Sequence, residues 1–174
     1  MIYYPRTREH EVPMTPTERT RVTRVELYGR ETLPRPAQSR RSAVVDRLEA
    51  LSAAGHIAAF DVSSWPKRVP CTGPRCEARD RYRAFSAWAD EYGVDLAPFF
   101  QTRECYSMVT GERGEWVVLP ALCLAAYDGD DLVAVYPHTD VDSYESVGSA
   151  LDWLEGPTDS TDTGRDSLPA GMAD

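Results

Sequence analysis

Residues 22–65, VTRVELYGRETLPRPAQSRRSAVVDRLEALSAAGHIAAFDVSSW, decide the fold. In Val22–Tyr28 the apolar Val25 and Leu27 alternate with Arg24 and Glu26, the period of a strand with one buried face. Residues 29–36 are punctuated by Pro34 and Pro36 and read as a loop. From Ala37 to Ala54 the period changes. Val44, Val45, Leu48 and Leu51 fall along one side of a helix, while Arg40, Arg41, Arg47 and Glu49 fall off it, and Gly55 supplies a stop. Ile57–Trp65 is a second strand with Phe60 and Val62 in phase, closed by Pro66. Strand, helix and strand in that order permit a parallel pair joined by a crossover helix.

Downstream, PCTGPRC (70–76) reads as a tight loop and Glu77–Tyr92 as a second helix. Tyr82, Phe85, Trp88, Ala89 and Tyr92 form a stripe at helical spacing on it, which favours a core face over a ligand box. Phe99–Val109 and Trp116–Leu119 are predicted strands around the turn TGERG (110–114). Leu122–Tyr127 and Leu132–Tyr136 follow as a hairpin about Asp128-Gly129. A last helix is predicted to open at Asp142 with Glu145 completing a capping box, to bury Val147, Ala150, Leu151 and Leu154, and to end at Gly156-Pro157. The expected architecture is α+β, in the order β-α-β-α, β-meander, α. It is a two-layer sandwich of a mixed sheet with helices on one face, ferredoxin-like in spirit.

The expected domain organisation is a flexible leader over 1–20, a single globular domain over 21–156 and a disordered acidic tail over 157–174. Met14 offers a second plausible start, so residues 1–13 read as an over-extended N-terminus. No run approaches the roughly 18 apolar residues of a membrane span, and the N-terminus lacks an apolar signal region. These features predict a cytoplasmic protein with no membrane partner, and its cysteines are expected to be reduced.

Charge is the most unusual global property. The net charge is −9, and Lys67 is the one lysine among 19 basic residues. Acid excess and arginine in place of lysine both suit a high-salt cell. The charge is also segregated. Residues 1–87 carry 16 basic and 10 acidic side chains, whereas 88–174 carry 3 and 18. Two readings follow. The basic half contacts nucleic acid, with Arg24, Arg30, Arg35, Arg40 and Arg41 as candidates, or it pairs with the acidic half across the fold.

Other chemistry is sparse. Cys71 and Cys76 flank a Gly-Pro turn and are the candidate zinc ligands, with Cys105 and Cys123 in later strands, but the spacing departs from structural zinc knuckles. His138 lies among Asp140 and Asp142 without a nucleophile in an elbow context. The run Asp128, Asp130, Asp131 lacks the grammar of a calcium loop, and no glycine-rich phosphate motif is present. No cofactor is expected and no catalytic residue is assigned.

The stretches RVELYGR (24–30), RRSAVVDRLEALSAAGHI-AAFDVSSWPKRV (40–69), FSAWADEYGVDLAPFFQTRE (85–104) and VLPALCLAAYDGDDLVAVYPHTD (118–140) resemble a group of small, mostly uncharacterised haloarchaeal proteins, some carrying a generic helix-turn-helix label. The resemblance spans about residues 20–155 and brings no catalytic motif with it. The label implies transcriptional regulation, with DRLEALSAAGHIAAFDV as a helix leading into a wing strand. The expectation is a non-enzymatic regulatory or binding module with a protein or small-ligand partner. The alternatives are a helix-turn-helix-type DNA-binding regulator and a structural zinc protein.

Overall fold

The parallel pair forms where the sequence places it. In the computed structural model, which describes residues 21–106 and 108–156, β1 (Arg24–Arg30) and β2 (Ala59–Trp65) are parallel neighbours joined by α1 (Arg35–Ala53). The leader and tail expected over 1–20 and 157–174 lie outside the described residues. The remaining elements are β3 (Arg68–Pro70), α2 (Glu77–Tyr92), β4 (Gln101–Tyr106), β5 (Arg113–Val118), β6 (Leu122–Asp128), β7 (Asp131–Tyr136), β8 (His138–Thr139), β9 (Tyr144–Glu145) and α3 (Val147–Glu155). The fold is α+β with a mixed sheet. Its four strands run in the order β2-β1-β6-β7, with β1–β6 and β6–β7 antiparallel.

Three features depart from the expected architecture. First, the meander is split. β3, β5 and β4 form a separate antiparallel sheet, and the chain passes from it into the main sheet through Leu119-Pro120-Ala121. Pro120 has no N–H to offer a ladder, and its carbonyl accepts the Trp65 indole N–H at 3.1 Å, which pins the corner. Second, β1 and β2 are adjacent, so the intervening strand of a ferredoxin-like split βαβ unit is missing. Third, helices cover both faces rather than one. Tyr28 of β1 meets Phe85 of α2 edge-on at 6.0 Å. On the opposite face, a Cβ on Gly29 would lie 3.3 Å from Arg41 Nε, so the Arg41 side chain of α1 rests on this side of β1. Tyr136 meets Trp153 of α3 on that same side.

The two-sided cover explains another difference. Alternation put Glu26 on a solvated face, but β1 is interior and its residues Val25–Gly29 are all buried. β2, by contrast, is an edge strand. Phe60 is half-buried and Val62 is exposed, so the in-phase apolar pair of that strand does not enter the core.

α2 has the limits its pattern predicts. Phe85, Trp88 and Ala89 are buried, Tyr82 is half-buried against Phe100, and Tyr92 is exposed but stacked on Trp88. Gly93 ends it in the left-handed conformation at φ +69°. The loop before α2 is tight because Arg79, itself buried, donates to the carbonyls of Pro70, Gly73 and Pro74. α3 does not open at Asp142. Its N-cap is Ser146, whose hydroxyl accepts the Ser149 N–H at 3.1 Å, while the Ser149 hydroxyl accepts the Ser146 N–H at 3.2 Å. Asp142 lies outside any helix and Glu145 pairs in β9, because β8 and β9 form a small hairpin in between. The apolar face of α3, Ala150, Leu151 and Leu154, is buried as its spacing requires.

Candidate nucleic-acid interface

The five candidate arginines separate into two groups. Arg24 ion-pairs with Glu26 and lies over the Tyr127 ring, 4.3 Å from its centroid. Arg30 donates through Nε to the Leu119 carbonyl at 2.9 Å, tying the end of β1 to the corner between the two sheets. Both therefore serve the fold. Arg35, Arg40 and Arg41 lie on the first turns of α1, where Arg35 and Arg40 are exposed and carry no ion pair among the described residues. Arg41 is half-buried with its side chain against Gly29.

Local sequence makes this stretch of helix unusual. From Arg35 to Val45 (RPAQSRRSAVV) α1 has three arginines and no acidic side chain, in a chain of net charge −9. The helix begins at Pro34 without a side-chain cap, and its first turn holds Arg35 where an acid would complement the dipole. Gln38 donates to the Leu33 carbonyl at 2.7 Å and stabilises the entry to the helix. Ser39, Arg40, Ser42 and Ala43 are exposed, whereas Val44, Leu48 and Leu51 anchor the helix in the core. The outcome is a rigidly seated helix whose outward surface is small, polar and cationic.

Pairing between the two charge halves is limited. Among the described residues, the ion pairs that join them are those of Arg47 in α1 with Asp152 and Glu155 in α3, at 2.8 and 2.6 Å. The other ion pairs lie within the first half, at Glu26, Glu77 and Asp80.

A second cationic surface was not singled out by the sequence. In the sheet β3-β5-β4, Val69 and Val117 face the core. The opposite side carries Trp116 with Arg103 directly across from it and the Arg68 guanidinium 5.1 Å from its ring centroid. No pattern in the sequence marks β3, because Arg68 and Val69 fall between Pro66, which closes the preceding strand, and the loop that opens at Pro70.

The cysteines do not converge. Cys71 and Cys76 are free and half-buried, Cys105 is half-buried on β4, and Cys123 is buried in β6. Among the described residues no group of three or more His, Cys, Asp and Glu side chains is placed to hold a metal ion. His138 is buried between Trp88 and Tyr136, with Nδ1 2.6 Å from the Val135 carbonyl oxygen, and so packs as part of the core edge. Asp128, Asp130 and Asp131 sit at the β6–β7 turn.

The buried polar centre lies at Glu26, which sequence alternation had placed in water. Its carboxylate accepts from Tyr28, Arg24 and, at 2.9 Å, Arg81 of α2. Burial and the adjacent carboxylate push the Tyr28 phenol well above its ordinary pKa, and burial raises Tyr127 as well.

A groove of about 600 Å³ lies between α1 and α3, with Val44, Phe99, Leu122, Val147 and Leu151 on its walls and Arg40 at its border. No helix among the described residues is long and apolar enough to cross a membrane. No curated protein and no solved structure matches the chain. Residues 17–159, which include every element described above, match the family described as a helix-turn-helix domain, and the chain belongs to that family.

Proposed function

We propose that this protein is a non-enzymatic regulatory module that binds DNA through the first three turns of α1. The observation that carries this reading is the acid-free surface Arg35–Val45, with Arg35 and Arg40 open, on a protein of net charge −9. Arginine, glutamine and serine are the side chains that read base edges and hold phosphates. Membership of the helix-turn-helix family supports the same partner. The contact would differ from the motif in its name. β2 and β3 separate α1 from α2, so a single helix would enter the groove. The Arg68–Trp116–Arg103 surface would provide a flanking contact to the nucleic-acid backbone. In molar salt the screening length is only about 3 Å, so affinity there would rest on close arginine forks rather than on a diffuse field.

The test is fluorescence anisotropy on duplex DNA over a KCl series up to molar salt. Arg35→Ala and Arg40→Ala are each expected to weaken binding and to reduce the slope of log K against log salt by about 1. Absence of binding at every salt, or a double variant indistinguishable from the parent, would sink the reading.

The groove beside Arg40 favours a second reading, a small amphipathic ligand with an anionic end. Thermal shift with a series of aliphatic carboxylates tests it. A rise in Tm that Arg40→Ala abolishes is expected, and no rise across the series rejects it.

A further inference from the structure

Among the described residues the outer edge of β2 is open. β2 pairs with β1 on one side, and among the described residues it has no strand on the other. Five of its seven residues are exposed, including Val62 at 39 %. It contains no proline and no lysine, its pairing with β1 has no bulge, and the one charged side chain on it is the exposed Asp61, so an edge strand's usual protections are reduced to that carboxylate. The opposite edge of the same sheet differs. β7 is buried at Ala134, Val135 and Tyr136 and begins with the charged Asp131.

The sequence of β2, AFDVSSW, is compatible with itself in antiparallel register about Val62. Val62 would face Val62 of the other copy on the axis. Asp61 would face Ser63, whose hydroxyl can donate to it, Phe60 would face Ser64, and Ala59 would face Trp65. No like charges fall directly opposite one another in this register.

Charge on α1 selects the same arrangement. Arg41, Ser42, Val45 and Asp46 line a groove together with Val62, so this side of α1 looks towards the open edge. Arg41 lies over Gly29, two residues along β1 from Leu27, which pairs with Val62. Two strand residues match about four helix residues in length, so Val45 is level with Val62. Glu49, exposed, is one helical turn beyond Val45. A two-fold axis at Val62 therefore brings the Arg41 of each copy level with the Glu49 of the other along the strands.

We infer that β2 is a homodimer interface, in which two copies pair edge to edge into one continuous eight-stranded sheet with both α1 helices on the same face. This does not depend on the DNA reading, since it is measured without DNA. Sedimentation equilibrium of the full chain is expected to give twice its 19.4 kDa mass. Val62→Lys places two ammonium groups on the axis and is expected to weaken the dimer by at least about tenfold. The side chain is exposed, and a thermal melt checks that the variant folds. Arg41→Glu is expected to weaken the dimer and Arg41→Glu with Glu49→Arg to restore it. A parent chain that stays monomeric, a Val62→Lys variant that dimerises as tightly as the parent, or a double charge reversal that does not restore association would each overturn the proposal.

Discussion

Glu26 and Arg81 are joined at 2.9 Å across the boundary between β1 and α2, and this pair ties the helix to an interior strand of the main sheet. Arg81 also stands 5.7 Å from the centroid of the Tyr28 ring, and Tyr28 donates its hydroxyl to the same carboxylate. A carboxylate so placed is tolerable only because each of its oxygens has donors.

Removing it should therefore cost more than an ordinary surface ion pair. Glu26→Ala leaves the Tyr28 hydroxyl without its acceptor and takes a carboxylate from two guanidinium groups, Arg81 keeping Glu77 at 3.6 Å and Arg24 the Tyr127 ring. Because Arg24 and Arg81 are each about one-third exposed and retain water, the expected loss is about 2–3 kcal/mol rather than the larger figure for fully buried pairs. Urea denaturation of parent and variant measures it. Glu26→Gln keeps an acceptor and should lose less.

How much of this was legible follows from the kind of information each feature uses. The β1–α1–β2 unit, α2 and the β6–β7 hairpin were readable because local periodicity and glycine stops mark them. The burial of Glu26 was not, because a strand buried on both faces is distinguished from a half-buried one only by what packs on it. Splitting of the meander turned on Pro120, whose role needs the distant Trp65 indole. In the candidate site, Arg35 and Arg40 could be named from sequence. That Arg24 and Arg30 are occupied could not, since their partners Tyr127 and Leu119 are remote in the chain.

Alkaline pH should destabilise the fold through its buried phenols. Burial, and then the carboxylate of Glu145, push the Tyr136 pKa up to about 12. The unfolded value is about 10. The folded state thus holds this proton more tightly. Its contribution is complete below pH 10 and is lost as pH rises from about 10 through about 12, a change of about 2–3 kcal/mol. Tyr28 and Tyr127 are shifted in the same direction and steepen the loss. Tyrosinate absorbance should appear together with the loss of far-UV signal, and Tyr136→Phe should move that transition to higher pH.

The thiols should divide by burial. Cys123 is fully buried, and burial pushes its thiol well above the ordinary pKa. Cys71, Cys76 and Cys105 are half-buried, and burial also raises Cys71. Titration with a chromogenic disulfide at pH 8 should consume three thiols in the native protein and the fourth only in denaturant. Reaction of Cys123 at the rate of the others would contradict its placement in β6.

The start of α3 allows a direct comparison of two residues that both qualify as caps. Asp142 has the better sequence pattern, with Glu145 three residues on, yet it lies outside the helix. Ser146 accepts the Ser149 N–H and so satisfies one of the first-turn donors that would otherwise be orphaned. Ser146→Ala should cost about 1 kcal/mol of stability, the usual value of a lost cap. Asp142→Ala, which removes no capping bond, should stay within about 0.5 kcal/mol of the parent. Thermal or urea unfolding of both variants separates the two positions, and the reverse ranking would return the start of the helix to Asp142.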